Sequence, residues 1–200
     1  MLAVLTGDFI GSGDWSPGDL DRAHHALAAQ ADRVADWSGG STAYTRNRGD
    51  GWQMVLHRPE MDLRAALAMR AVLRVEGKTF ATRIAIARGE GEVPGRDLNR
   101  AHGPAFTKAG HALDAMEDEI TMVHTSGGIL GAATLFADAL SFGWTPAQAR
   151  ALAPMLAPDP PTHAEVAKAL GISRSAVSQA LAAADYDHIA RALDAYEADG

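Results

Sequence analysis

Short apolar runs alternate with amphipathic stretches along the first 125 residues, and this pattern predicts strands alternating with helices. Strands are predicted at 2–9, 41–46, 51–57, 79–87 and 120–124, where residues are continuously apolar or alternate with a period of two. Helices are predicted at 17–37, 59–76 and 104–116, where apolar residues recur every three to four positions. This alternation predicts an α/β sandwich.

Local signals mark the ends of these elements. Ser16, Pro17 and Asp19 form a helix start, with Ser16 as N-cap, and Gly39-Gly40 ends the same helix. A Gly-Asp turn joins the second and third strands as a hairpin. The first six elements then follow the β-α-β-β-α-β order of ferredoxin-like, palm-like folds.

From residue 126 onward every pattern is helical. Ser126-Gly127-Gly128 marks the change, so two domains are predicted, at 1–125 and 126–200. The second domain is predicted to be all-α, with helices at 129–140, 146–156, 163–170, 173–183 and 187–198. The proline-rich stretch at 158–161 is expected to be a stiff connector between the second and third of these helices.

Composition narrows the class of protein. The chain has 200 residues, 47% hydrophobic content and no cysteine, which excludes disulfides and thiolate zinc sites. No apolar run has membrane-spanning length and the N-terminus has no signal-peptide pattern, so we expect a soluble, cytoplasmic protein without a membrane partner. The net charge of −7 argues against broad attraction to nucleic acid, although it leaves room for a local basic patch.

Two aspartates stand beside glycine at the ends of strand-like runs. Asp8 follows the apolar run 2–5 within the block Thr6 to Ser12, and Asp50 precedes the run 52–56 within Arg48-Gly49-Asp50-Gly51-Trp52-Gln53. Two carboxylates together with a nucleotide's phosphates are a common ligand set for Mg²⁺. Glycines beside them would let phosphate approach the backbone. The alternative is that Gly-Asp and Asp-Gly are simply turn formers.

Four ordered blocks resemble class III nucleotide cyclases, and more closely the SatD-like proteins, which carry a compact variant of that catalytic domain. The blocks are Gly-Asp-Phe-Ile-Gly-Ser from Gly7, 46–51, 83–89 and 103–109, and the resemblance covers about the first 120 residues. It implies Mg²⁺ or Mn²⁺ bound by Asp8, Phe9 and Asp50, and a homodimer whose sites are shared between subunits. It also implies nucleotide binding, with the candidate residues Gly11, Ser12, Arg46, Gly49 and Thr107. Lys108 and His111 are added because they lie one helical turn apart near the start of their helix and could reach a phosphate, although a solvated helix face explains them nearly as well.

The chain departs from the cyclase pattern at positions that matter for turnover. Arg46 stands where the cyclases usually have a lysine that contacts the base, and an exposed strand charge explains it equally well. Thr107 and His111 stand where active cyclases usually have an asparagine and an arginine. Loss of that arginine typically costs about a thousandfold or more in rate. We therefore expect ligand binding with weak or absent turnover.

Residues 162–183 resemble a helix-turn-helix unit. Val166, Ala167 and Leu170 would form the inner face of the first helix, Gly171 the turn and Ile172 its plug. The candidate DNA-binding residues are Lys168, Ser173, Arg174, Ser175, Ser178 and Gln179, which suit phosphates and base edges. The alternative is a retained packing unit, because the acidic helix that follows weakens the case for DNA.

Three interpretations follow from these patterns. In the first, the cyclase-like domain binds a nucleotide-type ligand and biases a DNA-binding domain, as in a transcriptional regulator. In the second, the chain is a nucleotide cyclase or another nucleotidyl-transferring enzyme with a regulatory helical domain. In the third, both modules serve as interaction or dimerisation surfaces without chemistry.

Overall fold

The computed structural model describes residues 1–37, 39, 42–47 and 49–198 of the chain. Some predicted features therefore lie outside the described residues. These are Gly40 of the predicted helix stop, Ser41 at the start of the predicted second strand, Arg48 of the second Gly-Asp block and the last two residues of the predicted C-terminal domain.

The mixed α/β fold is confirmed, and each predicted strand and helix has a counterpart. The strands are β1 Leu2–Phe9, β2 Thr42–Arg46, β3 Gly51–Leu56, β4 Thr82–Gly89 and β5 Met122–His124. The helices are α1 Pro17–Trp37, α2 Asp62–Glu76, α3 Pro104–Asp114, α4 Gly128–Phe142, α5 Pro146–Met155, α6 His163–Leu170, α7 Arg174–Ala183 and α8 Tyr186–Ala198.

Some predicted boundaries are wrong by two or three residues, for local reasons. The strand predicted from residue 79 begins at Thr82, because residues 77–80 form a turn in which Phe80 N–H donates to the Gly77 carbonyl at 3.2 Å. The helix predicted from residue 59 begins at Asp62, after a 3₁₀ turn at Pro59–Met61. Helix ends often contain such tighter turns.

The sheet has the strand order β2-β3-β1-β4-β5. The central strand β1 is antiparallel to both β3 and β4, and β5 is added parallel to β4. The first four strands with α1 and α2 have the predicted β-α-β-β-α-β element order. Both edges of β1 are therefore hydrogen-bonded to a neighbouring strand, which fixes the position of the residues at its C-terminal end.

Alternate residues of β1 face different layers. Ala3, Leu5 and Phe9 join the main buried cluster with residues of α1 and α2. Leu2 and Val4 join a smaller cluster with Ala105 and Ala109 of α3 and other residues. Because side chains alternate along a strand, the residues on the second face include Asp8. That carboxylate thus lies on the same face of the sheet as α3.

Helix α2 is buried on all sides, which its sequence did not indicate. Every residue from Asp62 to Arg74 is buried. Helices α1, α4 and α5 all contact α2, and one cluster of buried residues extends from β1 to Tyr196 of α8. A separate C-terminal domain is not seen as a distinct core. The boundary between residues 125 and 126 stays a prediction, and apolar packing continues across it.

Buried polar groups of α2 bind the C-terminal helices. Arg64 donates to Asp194 and Glu197 of α8, and Arg70 donates to Asp138 of α4 at 2.7 Å. Asp62, whose side chain is 0% exposed, accepts from the Tyr196 hydroxyl at 2.8 Å.

Side chains from two strands also bind the Asp62 carboxylate. Arg88 of β4 donates to Asp62 at 2.7 Å, and His124 Nε2 of β5 lies 3.1 Å from it. The sheet and the C-terminal helix α8 therefore share one buried polar cluster, consisting of Asp62, Arg88, His124 and Tyr196.

Helix α6 has the predicted bounds, the turn follows it as predicted, and α7 begins one residue later than predicted. Gly171 ends α6 in the left-handed conformation with φ of 66°, and the hydroxyl of Ser173 caps α7 by accepting from Ala176 N–H at 3.1 Å. Val166 and Val177 are buried between the helices and the rest of the core. The prediction that Ile172 plugs the turn is wrong, because this residue is 46% exposed.

No helix within the described residues combines the length and the apolar character needed to cross a bilayer.

Candidate functional site

Asp8 and Asp50 are carried to the same end of the sheet by neighbouring strands. Asp8 is the second-last residue of β1, and its Cα partner on β3 is Gly51. Asp50 directly precedes Gly51 in the turn of the hairpin. The antiparallel register therefore brings the two residues selected from the sequence to one corner of the fold.

Asp8 is bound by an arginine to which the sequence analysis gave no role. Arg83, its partner on β4, donates from Nε to Oδ1 at 2.9 Å and from a second nitrogen to Oδ2. These hydrogen bonds, together with the charge of Asp8, raise the pKa of Arg83 above its ordinary value. Strand alternation could have predicted this pair. Arg83 lies on the same face of β4 as Ala85 and Ala87, which pack against α3, and Asp8 lies on that face of the sheet too.

Asp50 accepts a hydrogen bond from the hydroxyl of Ser12. Ser12 follows Gly11, whose φ of 70° lies in the left-handed region that glycine adopts without strain. Gly49, immediately before Asp50, has φ of 72°. Two glycine-containing turns therefore meet here, and they bring three of the predicted nucleotide-binding residues, Gly11, Ser12 and Gly49, close to the carboxylates.

The hairpin is supported from α1 by a buried histidine. His24 Nδ1 lies 3.0 Å from the Tyr44 hydroxyl, and its Nε2 lies 3.4 Å from the Gly49 carbonyl oxygen. Because a carbonyl only accepts, Nε2 carries the proton, and in the neutral imidazole Nδ1 then accepts from the Tyr44 hydroxyl. Burial lowers the pKa of His24, and the charge of Arg46 lowers it further.

Arg46, the predicted base contact, is the last residue of β2 and is exposed. Its guanidinium lies 2.7 Å from the Asp21 carboxylate of α1. Exposed ion pairs of this kind contribute about 0 to 1 kcal/mol and exchange readily. The nucleotide contact of Arg46 stays a prediction.

The glycine of the first Gly-Asp pair has a packing role. The fully buried Trp52 donates from Nε1 to Thr82 Oγ1 at 2.9 Å. A Cβ at Gly7 would lie 2.5 Å from the Trp52 ring and 2.5 Å from the Arg83 carbonyl oxygen. Gly7 is therefore required by the packing of Trp52, so phosphate access is not needed to explain this residue.

The three candidates on α3 belong to a helix that runs along the sheet towards the Asp8 end. Its first turn lies near the opposite end of β1, because a Cβ at Gly89, the partner of Leu2, would meet Ala105 at 3.5 Å. Its last turn approaches Arg83, the partner of Asp8, because Leu113 packs with Ala85 and the charge of Asp114 helps to raise the pKa of Arg83. All three candidates are exposed: Thr107, Lys108 and His111. Their nucleotide contacts stay a prediction.

The oxygen atoms available for a cation are few. Asp8 and Asp50 supply carboxylates, whereas Phe9 offers only its backbone carbonyl, because its ring is buried and stacked on Trp15. Within the described part of the chain, no group of three acidic, histidine or cysteine side chains is placed to hold a metal. These residues fit Mg²⁺ or Mn²⁺ when water and a ligand's phosphates complete the coordination.

Two hollows flank α1. One of about 500 Å³ lies where β1 turns into α1, and Gly11, Trp15 and Phe80 are among its walls. A larger one of about 700 Å³ lies between α1, α2 and α5, away from the aspartates, with Arg33 and Arg150 in its lining. Of these two hollows within the described residues, the smaller adjoins the candidate site through Gly11.

Most of the DNA-binding candidates are exposed on α6 and α7. Exposed members are Lys168, Ser173, Arg174, Ser175 and Gln179. Ser178 is only partly exposed, and its hydroxyl lies 3.0 Å from His163 Nδ1. A hollow of about 490 Å³ between the first turns of the two helices is lined by Thr162, His163, Ala164 and Arg174.

No family model matches the chain, and no curated protein matches it. Among solved structures, the chain is similar to the non-canonical dimeric guanylyl cyclase domain of the RhoGC fusion protein from the aquatic fungus Blastocladiella emersonii. The match has 17% sequence identity and a TM-score of 0.44, and it covers 58% of this chain and 74% of that one.

Proposed function

We propose that the Asp8–Asp50 end of the sheet binds a nucleotide-type ligand together with Mg²⁺ or Mn²⁺. The observation that carries the proposal is the register of β1 and β3, which pairs Asp8 with Gly51 and so places it beside Asp50. A Cβ at Gly11 or Gly49 would meet nothing within 4 Å, so both turns leave open space next to the carboxylates. Phosphate oxygens can approach the backbone at such turns.

Ligand binding would exchange the present partners of the carboxylates. A cation that binds Asp8 would release Arg83. The free guanidinium can then bind two phosphate oxygens, just as it now binds the two oxygens of the carboxylate. Likewise, the Ser12 hydroxyl that now donates to Asp50 becomes available to the ligand. Arg83 thus balances the charge of Asp8, and both Arg83 and Ser12 can donate to phosphate once a cation is bound.

Turnover is proposed to be weak or absent. The resemblance places Thr107 and His111 where an active cyclase has asparagine and arginine, and neither side chain can stabilise transition-state charge as a guanidinium does. Both residues are exposed on α3. We expect no cyclic or linear nucleotide product at ordinary enzyme rates of about ten per second.

Calorimetry with nucleoside triphosphates and MnCl₂ tests the binding proposal. Asp50→Asn and Asp8→Asn should each weaken metal-dependent binding by about tenfold or more, because each removes one of two anionic ligands. Asp32→Asn, at an exposed position of α1, is the matched control and should bind like the parent. Absence of binding, or equal binding by parent and Asp50→Asn, would show that the Gly-Asp blocks are only turns.

Contact of α7 with DNA is a second proposal, favoured by two observations. The hollow at the first turns of α6 and α7 contains Arg174 beside two helix N-termini, where backbone N–H groups favour phosphate. The acidic residues of α8 are also partly neutralised, because Asp194 and Glu197 are paired with Arg64. Repulsion of DNA by α8 is therefore weaker than its composition indicates.

Selection from random duplexes, followed by titration at two salt concentrations, tests the DNA contact. Gln179→Ala should cost about 1 to 3 kcal/mol at one base pair, whereas Lys168→Ala should weaken binding to all sequences and reduce the salt dependence. Arg58→Ala, far from α7 in the chain and paired with Glu60, is the control. If no sequence is enriched, or if Arg174→Ala and Gln179→Ala bind like the parent, α7 is a packing element.

The two proposals together describe a DNA-binding transcriptional regulator that responds to a nucleotide-type ligand. The alternative of a nucleotide cyclase or nucleotidyl-transferring enzyme would be supported by product formation. The alternative of an interaction or dimerisation protein would be supported if neither ligand nor DNA is bound.

A further inference from the structure

The outer face of α4 is apolar and open to solvent. Ile129 is 86% exposed and Phe136 is 74% exposed. Three further large apolar side chains on this helix are exposed: Leu135, Leu140 and Phe142. Together they leave on the order of 600 Å² of apolar surface, at the upper end for the largest patch of a monomer.

The exposed positions follow the spacing of a helix-pairing seam. Ile129, Ala132, Phe136 and Ala139 are separated alternately by three and four residues, and all four are exposed. This is the a and d pattern of a helix that packs against another helix. Large residues occupy the a positions and alanines occupy the d positions, so the seam is a row of knobs separated by hollows.

The opposite face of α4 is fixed to the body of the protein. Asp138 accepts from Arg70 at 2.7 Å and from Thr121 N–H at 2.9 Å, and Thr134 and Ser141 are buried. Rotation of the helix to hide Phe136 would break this buried ion pair, which is strongly unfavourable. The apolar seam can therefore be covered only by something outside this part of the chain.

The chemistry of the seam favours a second copy of the chain. Asp138 is the only charged residue in α4, and it is buried, so two seams can meet without repulsion despite a net charge of −7. The exposed apolar area is most of the ~800 Å² that each partner buries in a standard interface. A lipid surface fits less well, because interfacial helices carry lysine and arginine on their polar face and α4 has none.

We propose that α4 pairs antiparallel with α4 of a second copy, forming a two-fold symmetric dimer. In a parallel pair, Phe136 would face Phe136 and alanine would face alanine, which leaves crowding in one layer and gaps in the next. An antiparallel pair sets each a residue against a d residue, so Phe136 of one copy packs against an alanine of the other. The interface is isologous, as closed dimers require.

Light scattering on the full chain tests the proposal. The parent should have twice the 21.0 kDa mass of one chain, and Phe136→Glu should weaken the dimer at least about thirtyfold, as expected for a hot-spot residue. Ile172→Glu, which adds the same charge at an exposed apolar residue outside α4, should remain dimeric. Circular dichroism should be equal for all three, since Phe136 makes little contact within its own chain.

Cysteine cross-linking gives an independent readout, because the chain has no cysteine of its own. A cysteine at Leu135, near the middle of α4, should be captured as a dimer by a short bismaleimide, whereas a cysteine at the exposed Ala169 of α6 should not. A monomeric parent, a dimer that survives Phe136→Glu, or a chain that sediments with phosphatidylglycerol vesicles through α4 would overturn the proposal.

Discussion

Arg83 Nε lies 2.9 Å from Asp8 Oδ1, and a second guanidinium nitrogen donates to Oδ2, so a cation must compete with an existing partner for this carboxylate. Arg83→Gln should therefore bind Mn²⁺ alone more tightly than the parent. The gain should be up to about fivefold, because a partly exposed ion pair contributes about 1 kcal/mol at most. The signal of free Mn²⁺ in electron paramagnetic resonance titrations measures this.

The same substitution should weaken the Mn²⁺–nucleotide complex, because the released guanidinium is proposed to bind phosphate. Arg58→Gln, which breaks the exposed pair with Glu60, serves as the control and should change neither affinity. If Arg83→Gln lowers the affinity for Mn²⁺ alone, exchange of partners at Asp8 is wrong.

Two glycine-to-alanine substitutions should change stability in opposite directions. Gly7→Ala places a methyl group 2.5 Å from the Trp52 ring and should destabilise by about 1 to 3 kcal/mol through overpacking. Gly110→Ala adds the same methyl group within α3 where nothing lies within 4 Å, and should stabilise by about 0.5 to 1 kcal/mol. Urea unfolding of the three proteins measures both effects, and equal midpoints would contradict the packing role of Gly7.

Removal of the Tyr196 hydroxyl should loosen α8. Its hydrogen bond to the buried Asp62 is made to a charged group, so Tyr196→Phe should cost about 1 to 3 kcal/mol. Tyr186→Phe, on the same helix, is the control and should stay within about 0.5 kcal/mol of the parent. Chemical denaturation gives both values, and hydrogen exchange should show faster opening of α8 only in Tyr196→Phe.

Asp62→Ala should be more harmful than Tyr196→Phe. Burial raises the pKa of Asp62, but hydrogen bonds from His124 and Arg88 and the charge of Arg88 outweigh it and keep the pKa below its ordinary value. Loss of this carboxylate leaves the guanidinium of Arg88 in the interior without its anion and should cost about 3 to 5 kcal/mol. A smaller loss than for Tyr196→Phe would contradict the central place of Asp62 in the cluster.

Protonation of His24 should lower the free energy of unfolding in mild acid. Its pKa is lowered in the folded state by burial and by Arg46, so between that pKa and about 6.5 the unfolded chain binds more protons. Its contribution to stability is complete above about pH 6.5 and is lost as the pH falls, by at most about 1.4 kcal/mol per pH unit. His24→Gln, which does not titrate, should reduce the slope of unfolding free energy against pH. An unchanged slope would contradict the assignment.

The elements and their caps follow from interactions between residues close in sequence. Ser16 and Asp19 cap α1 reciprocally, since Asp19 N–H donates to Ser16 Oγ at 3.1 Å and Ser16 N–H donates to Asp19 at 3.2 Å. The turn at Gly171 is equally local. Such contacts span three or four residues, so residue type and spacing are enough to predict them.

The meeting of Asp8 and Asp50 was predicted only in outline. Element order and the short hairpin place two strand ends together, and the register then fixes Asp8 opposite Gly51. The partners Arg83 and Ser12 are separated from their aspartates by 75 and 38 residues. Pairs so distant in sequence depend on which strands become neighbours, and no local pattern contains that information.

The sequence determined that α2 and α4 are helices, but the tertiary structure decided which of their faces are covered. Periodicity in α2 indicates an apolar side and an arginine-bearing side, yet Arg64 and Arg70 are buried because α8 and α4 supply carboxylates to them. Helix α4 is apolar nearly all round, so its pattern alone does not select an inner face. The Arg70–Asp138 pair makes that selection, and as a result Ile129 and Phe136 lie in solvent.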